Sequence, residues 1–166
     1  MKTVIEQCLS IRNRSADHRQ SPFLLLVRLY WGWPFAQTGW GKVNNIEKVT
    51  GFFTSLGIPF PGGNAHFIAG LELVGGTLLI LGLASRPIGL MLTINMPVAY
   101  IAADWKAFVS FIGDPDQFIA ATPFPFLLAS LIVLVFGAGK LSLDHLIAFR
   151  KTAKLESPAR AAIQAV

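Results

Sequence analysis

"HFIAGLELVGGTLLILGLAS", residues 66–85, is apolar almost throughout, yet Glu72 stands inside it. At about 1.5 Å of rise per residue, a helix of this length spans about 30 Å, the hydrocarbon thickness of a bilayer. A carboxylate in such a segment is costly unless it faces a partner, a cavity or the interior of a bundle. The fold and the function of the chain both turn on what Glu72 faces.

Three further apolar segments accompany this one, over residues 22–41, 87–105 and 118–139. Of the 166 residues 53% are hydrophobic and 14% are charged. A soluble domain carries about 25% charged residues. The mean hydropathy is +0.55. Four such segments leave too little polar surface for a soluble bundle, and in lipid the backbone must satisfy its own hydrogen bonds, so each reads as a helix. The expected fold is an all-α membrane protein, an antiparallel four-transmembrane-helix bundle over residues 22–147. Tails cover residues 1–21 and 148–166, and an amphipathic segment occupies the first outer loop.

Basic residues set the expected orientation. Lys2, Arg12, Arg14, Arg19, Arg86, Lys140, Arg150, Lys151, Lys154 and Arg160 fall on one side, and only Lys42, Lys48 and Lys106 on the other. An even number of spans with this bias places both termini in the cytoplasm. The net charge of +5 thus reads as a topology signal. Without a basic run interleaved with aromatics, no nucleic-acid partner is expected. The polar leader of about 20 residues is too long for a cleavable signal peptide.

Cysteine and histidine usage narrows the chemistry. Cys8 is alone, which excludes a disulfide and a C-x-x-C relay. His18, His66 and His145 fall at separate places, so no metal site and no intrinsic cofactor ligand is expected. Residues 42–65 form a long loop in which Ile46, Val49, Phe52, Phe53 and Leu56 recur at helical spacing, which fits a short amphipathic stretch lying in the outer interface, a lid over the outer end of the bundle, or a loosely packed loop with a few apolar anchors. "ASRPIG" reads as a tight turn, and "KAFVSFIGDPDQF" as a medium loop. Trp40 and Trp105 fall near the outer boundary, where amphipathic rings prefer to sit.

At 100° per residue, Glu72 shares a face with Ala69, Gly75, Gly76, Leu79 and Leu83, while Leu71, Val74, Leu78 and Leu81 fall opposite. Small residues mark close helix contact, so Glu72 points into the bundle. Arg28, Trp31, Gly32, Phe35, Gly39 and Lys42 form one stripe on the first helix, provided Pro34 does not rotate its upper half. Met91, Asn95, Ala99 and Ala102 align on the third, and Phe126, Ser130 and Gly137 on the fourth. Lys42 is the expected partner of Glu72, with Arg28 about 12 Å away along the normal and reached through water or a ligand. Two readings follow: an ion pair that fixes helix register, or a polar cavity for a quinone, a proton or a small anion.

Several local patterns together resemble the DoxX family. "GWPFAQTGWGKV" is similar to the end of that family's first helix and "FFTSLGIPFP" to its loop element. "AGLELVGGTLLILGLASRPIGLML" is similar to its second and third helices, and "FGAGKLSLD" to its characteristic end. The matching positions are Arg28, Gly39, Lys42, Gly57, Pro59, Glu72, Gly76, Gly82, Arg86, Gly139, Ser142 and Asp144. The resemblance implies a small four-helix bacterial inner-membrane protein. Some relatives are subunits of a thiosulfate:quinone oxidoreductase, and others associate with soluble redox proteins that handle thiols.

The functional expectation is a membrane subunit of a quinone-linked redox complex, an oxidoreductase subunit not active alone. Glu72, Arg28 and Lys42 are the candidate catalytic residues, the acid relaying a proton while a cation stabilises developing negative charge. Trp31, Phe35 and Asn95 are the candidate ligand-binding residues. Expected partners are the lipid bilayer, a quinone and a soluble redox protein on the cytoplasmic side. The alternatives are a non-enzymatic scaffold recruiting such proteins and, less favoured without inverted repeats, a small-solute carrier.

Overall fold

The structure is a computed structural model that describes residues 4–150. The expected C-terminal tail lies outside the described residues beyond Arg150. All regular structure among the described residues is helical. α1 spans Val4–Asn44, α2 Ile46–Ser55, α3 Pro61–Leu81, α4 Ser85–Ala103, α5 Trp105–Val109, α6 Pro115–Ala120 and α7 Pro123–Phe136. A last helical stretch begins at 143.

α1 starts well before the apolar segment that announces it. No Gly or Pro falls between Val4 and Ser21, so nothing in the polar leader ends the helix. Pro22 and Pro34 lie inside it. Each removes one backbone donor, but the stripe survives: Leu24, Arg28, Gly32, Phe35 and Gly39 are all buried. α3 likewise begins at Pro61 rather than near residue 66, because a proline at the first helical position forfeits an N–H that has no intrahelical partner anyway.

The turn from α3 to α4 is as short as expected. Gly82 adopts φ +66, its N–H donates to the Leu79 carbonyl (3.1 Å), and the Leu83 N–H donates to the Leu78 carbonyl (3.0 Å). This pairing closes the helix end and needs the left-handed conformation that glycine takes without strain.

The expected fourth helix, residues 118–139, is corrected by the structure. It is broken at Ala121, which is extended (ψ 142), between α6 and α7. Pro123 and Pro125 explain the break. A continuous helix would need N–H groups from both to reach Ile119 and Ala121, and their rings would clash there. As the first and third residues of α7, neither proline has to donate. The loop expected over 106–118 is instead largely α5 and α6. Asp104 and Asp114 stand at their N-termini, each accepting a backbone N–H at 3.4 Å.

The four longest helices pack as two antiparallel pairs. α1 and α3 touch backbone to backbone. A Cβ added to Gly39 would overlap the backbone of Leu73, and one on Gly76 would stand 2.7 Å from the Gly32 carbonyl. α4 and α7 meet at Gly89, where a Cβ would lie 3.1 Å from the Leu134 nitrogen. The pairs are joined by Phe35 against Phe126 (ring centroids 4.7 Å) in a core with Leu79, Leu92, Met96 and Val133. A second cluster fixes the short helices: Tyr100 stacks on Phe118 at 4.7 Å, and its hydroxyl donates to the Phe118 carbonyl at 2.7 Å.

Met91 is exposed, against the expected alignment with Asn95; the buried face of α4 runs through Leu92, Asn95, Met96 and Tyr100. Val74, Leu81, Ile94 and Val135 are exposed large apolar residues on the outer faces of the bundle. Among the described residues, Pro61–Leu81 is the one helix long and apolar enough to cross a membrane by length and composition alone.

Close packing of α1 on α3 generates a test. Gly39→Val should lower thermal stability in detergent by about 3 kcal/mol or more, because rigid backbone faces the new methyls. Gly41→Ala, which meets open space, should be neutral or stabilising by up to about 1 kcal/mol. Equal melting of the two variants would refute this account of the contact.

Candidate functional site

The backbone approach at Gly39 determines what happens three residues later. Lys42, in the last turn of α1, is carried alongside α3, and its Nζ donates to Glu72 Oε2 in an ion pair. The Glu72 side chain is 6% exposed and that of Lys42 29%. The carboxylate is therefore inside, and the ammonium keeps contact with the outside along its apolar stem. Glu72 lies on the buried stripe of α3 with Ala65, Ala69, Gly75, Gly76 and Leu79.

A cavity of ≈ 590 Å³ opens beside the pair. Glu72, Lys42 and Asn95 line it, together with Lys48 and Asn64. Phe52, Phe53 and Leu56 of α2, with Val98 and Ala102 of α4, form apolar walls. The amphipathic segment read from the sequence is thus a helix packed on α3 that covers this cavity. A second, smaller cavity of ≈ 150 Å³ also touches Lys42 and Glu72, and is bounded by Phe35, Thr38, Met96, Thr122 and Phe126. Ala99 borders both.

The expected site residues divide between the two ends of the bundle. Lys42, Glu72 and Asn95 share the large cavity, and Phe35 lines the small one. Trp31 lines neither; it packs edge-on against Phe126 (5.4 Å). Arg28 does not join Glu72. It is 1% exposed and packs against Gly82, about 15 Å from Glu72 along α3. Its Nη2 donates to the Leu141 carbonyl, while Nε and Nη1 are buried without hydrogen-bond partners.

Around Arg28 the chain after α7 folds back as a hook. Asp144 Oδ1 accepts the Ala84 N–H (2.8 Å) and Oδ2 the Ser85 N–H (2.9 Å), so it caps α4 from a distant part of the sequence. The Asp144 N–H donates to the Gly82 carbonyl at 3.0 Å. The Asp144 carboxylate also acts electrostatically on Arg28, favouring its charged form. "FGAGKLSLD" is accordingly a clamp on the α3–α4 turn. Ala99 falls on the face expected for it beside Asn95, whereas Thr38, Met96 and Thr122 were missed in the sequence because none is charged. The one signal for Thr122 is its place before the paired prolines.

A family profile described as DoxX matches residues 23–105, a span that contains Arg28, Lys42, Glu72 and Asn95. The chain belongs to the DoxX family. It is 32% identical over 123 residues, covering 74% of this chain and 85% of the relative, to the Bacillus subtilis (strain 168) protein named "Putative oxidoreductase CatD". It is 30% identical over 139 residues, covering 80% of this chain and 85% of the relative, to the "Uncharacterized membrane protein Rv3486" of Mycobacterium tuberculosis. No solved structure is a significant match. This DoxX chain is an all-α membrane protein.

The DoxX ion pair can be tested by stability. Removing one partner of a buried pair costs about 3–5 kcal/mol, and the outlet that Lys42 has to solvent should hold Glu72→Leu to the lower end of that range or below. The double variant Lys42→Met/Glu72→Leu should recover most of the loss, as an apolar pair of similar volume often does. Thermal melts of the single and double variants in one detergent provide the check, and an unchanged Tm for Glu72→Leu would show that the pair does not hold the helices.

Proposed function

We propose that this protein is the membrane subunit of a quinone-linked redox complex, with α1, α3, α4 and α7 spanning the bacterial inner membrane and both termini in the cytoplasm. The observation that carries this reading is the cavity of ≈ 590 Å³, in which Lys42, Glu72 and Asn95, with Lys48 and Asn64, are the polar residues of a largely apolar wall. Its volume falls within the roughly 300–1,000 Å³ of small-molecule sites, and apolar walls with few convergent polar groups are the usual form of such sites. The oxidoreductase in the name of the Bacillus subtilis relative supports the same direction.

The residues fit a quinone. Phe52, Phe53 and Val98 would hold its ring and tail, while the Lys42 ammonium and Asn95 amide would offer donors to its oxygens. A bound quinone would supply a two-electron, two-proton acceptor, its electrons coming from a partner redox protein docked at the end of the bundle that holds Lys42 and Glu72. Lys42 offsets negative charge at the polar end, and Glu72 holds and releases a proton at its carboxylate. Away from water, both effects are stronger than on a surface.

Mass spectrometry of protein purified with native lipids tests this. Wild type should carry quinone, and Glu72→Gln should retain markedly less. Quinone absent from both, with partner capture lost on deleting the tails, would replace this reading with a non-enzymatic scaffold.

A further inference from the structure

Past the end of α7 the chain forms one more helical stretch, residues 143–150, at the end of the bundle away from Glu72. Asp144 fixes where it starts. Its carboxylate accepts the Ala84 and Ser85 N–H groups, and its own N–H donates to the Gly82 carbonyl. The stretch therefore begins against the turn that ends α3 and opens α4. In a membrane protein the turn between two long apolar helices stands where hydrocarbon gives way to headgroups.

Asp144 also defines which face of the stretch is turned to the bundle. At 100° per residue Ala148 shares that face, while Leu146 and Phe149 fall opposite, with Leu143 and Arg150 on one flank. Leu146 is 44% exposed and Phe149 66%. Leu141, Leu143 and Ile147 are exposed as well. Exposed apolar side chains along the long helices face lipid tails, but these five lie past the last of them and need another cover. Charge indicates which. Over residues 137–154 the sequence carries Lys140, Arg150, Lys151 and Lys154 and one acid, Asp144. Both oxygens of that acid are already engaged by backbone N–H groups. An apolar face beside a run of cations is the pattern of a helix seated among anionic headgroups. An acidic protein would match the charge too, but the headgroups already stand at the depth where Asp144 holds the helix.

We infer that residues 141–150 are an interfacial anchor that binds the anionic phospholipid surface beside the α3–α4 turn, with Leu146 and Phe149 inserted below the headgroups and the basic run from Arg150 supplying charge to the lipid phosphates. The apolar face of such a helix sits about 5–10 Å into the boundary between headgroups and acyl chains. Long basic side chains reach the phosphates from there along their apolar stems. Two contacts hold the anchor to the bundle: Arg28 donates to the Leu141 carbonyl, and Asp144 caps α4. Attachment to lipid is thereby tied to the packing of α1, α3 and α4. Nothing in this inference depends on a quinone in the large cavity.

Spin labelling in bilayer nanodiscs tests the anchor, with the whole chain in a Cys8→Ser background. A nitroxide is attached at Leu146→Cys and, as a second reporter, at Phe149→Cys; neither side chain takes part in the hydrogen bonds that hold the hook. The discs contain phosphatidylcholine alone or phosphatidylcholine mixed with phosphatidylglycerol. In the mixed discs a water-soluble nickel chelate should collide with either label severalfold less often than with the same label on glutathione, and oxygen more often. Each basic residue strengthens attachment to an anionic surface about fivefold. Arg150→Gln/Lys151→Gln/Lys154→Gln should therefore restore nickel access severalfold in the mixed discs, and discs of phosphatidylcholine alone should protect the labels less. Nickel access as high as on glutathione in both kinds of disc would overturn the inference and leave this face to an acidic protein. Protection indifferent to lipid charge and to the glutamine variant would overturn it too, since the anchor would then be apolar only. Missing quinone in the lipid extract would leave every one of these readings intact.

Discussion

The contact on which the rest depends is the meeting of α1 and α3 without intervening side chains. In lipid no hydrophobic force drives helices together, so association relies on van der Waals packing and polar contacts. Gly32, Gly39 and Gly76 allow the backbones to touch, and this antiparallel register brings Lys42 beside Glu72 at one end and Arg28 against Gly82 at the other. The ion pair is thus a consequence of close packing as much as a cause of it. A Cβ at Gly39 would push the helices apart at the level where the lysine has to reach across.

The two ends of this helix pair use charge differently. Arg28 is enclosed, bound to the Leu141 carbonyl and held within a hook that also caps α4 through Asp144. At the other end the ion pair borders two cavities, and Lys42 keeps part of its side chain in contact with the outside. A buried charge enclosed by backbone groups organises the fold, whereas one that borders open volume is available to a ligand. By that criterion Arg28 belongs to the architecture, and Glu72 is the charge that borders open volume.

Much of this was legible in the residues. The buried stripe of α3 through Ala69, Glu72, Gly75, Gly76 and Leu79 follows from its helical period, and the inward aim of Glu72 follows from the small residues beside it. Lys42 as its partner came from rise per residue alone. The division of 118–139 into α6 and α7 was less visible, because apolar content marks a segment as buried or lipid-facing without saying whether it is one helix. Pro123 and Pro125 carry that information, but hydropathy averaging passes over them. The start of α1 was missed for the opposite reason: the polar leader has no breaker, and helix limits differ from membrane limits.

The sequence by itself determined that the chain is helical and belongs in a membrane, that Glu72 faces inward, and that a basic residue must answer it. Those conclusions depend on local period, length and the cost of charge in hydrocarbon, all of which are properties of a segment. Only the tertiary structure decided what Arg28 meets instead, because its place against Gly82 and the Leu141 carbonyl depends on how the chain after α7 folds back. It alone also revealed the two cavities flanking the pair. Empty volume depends on how four helices fail to fill the space between them, and no single helix encodes that.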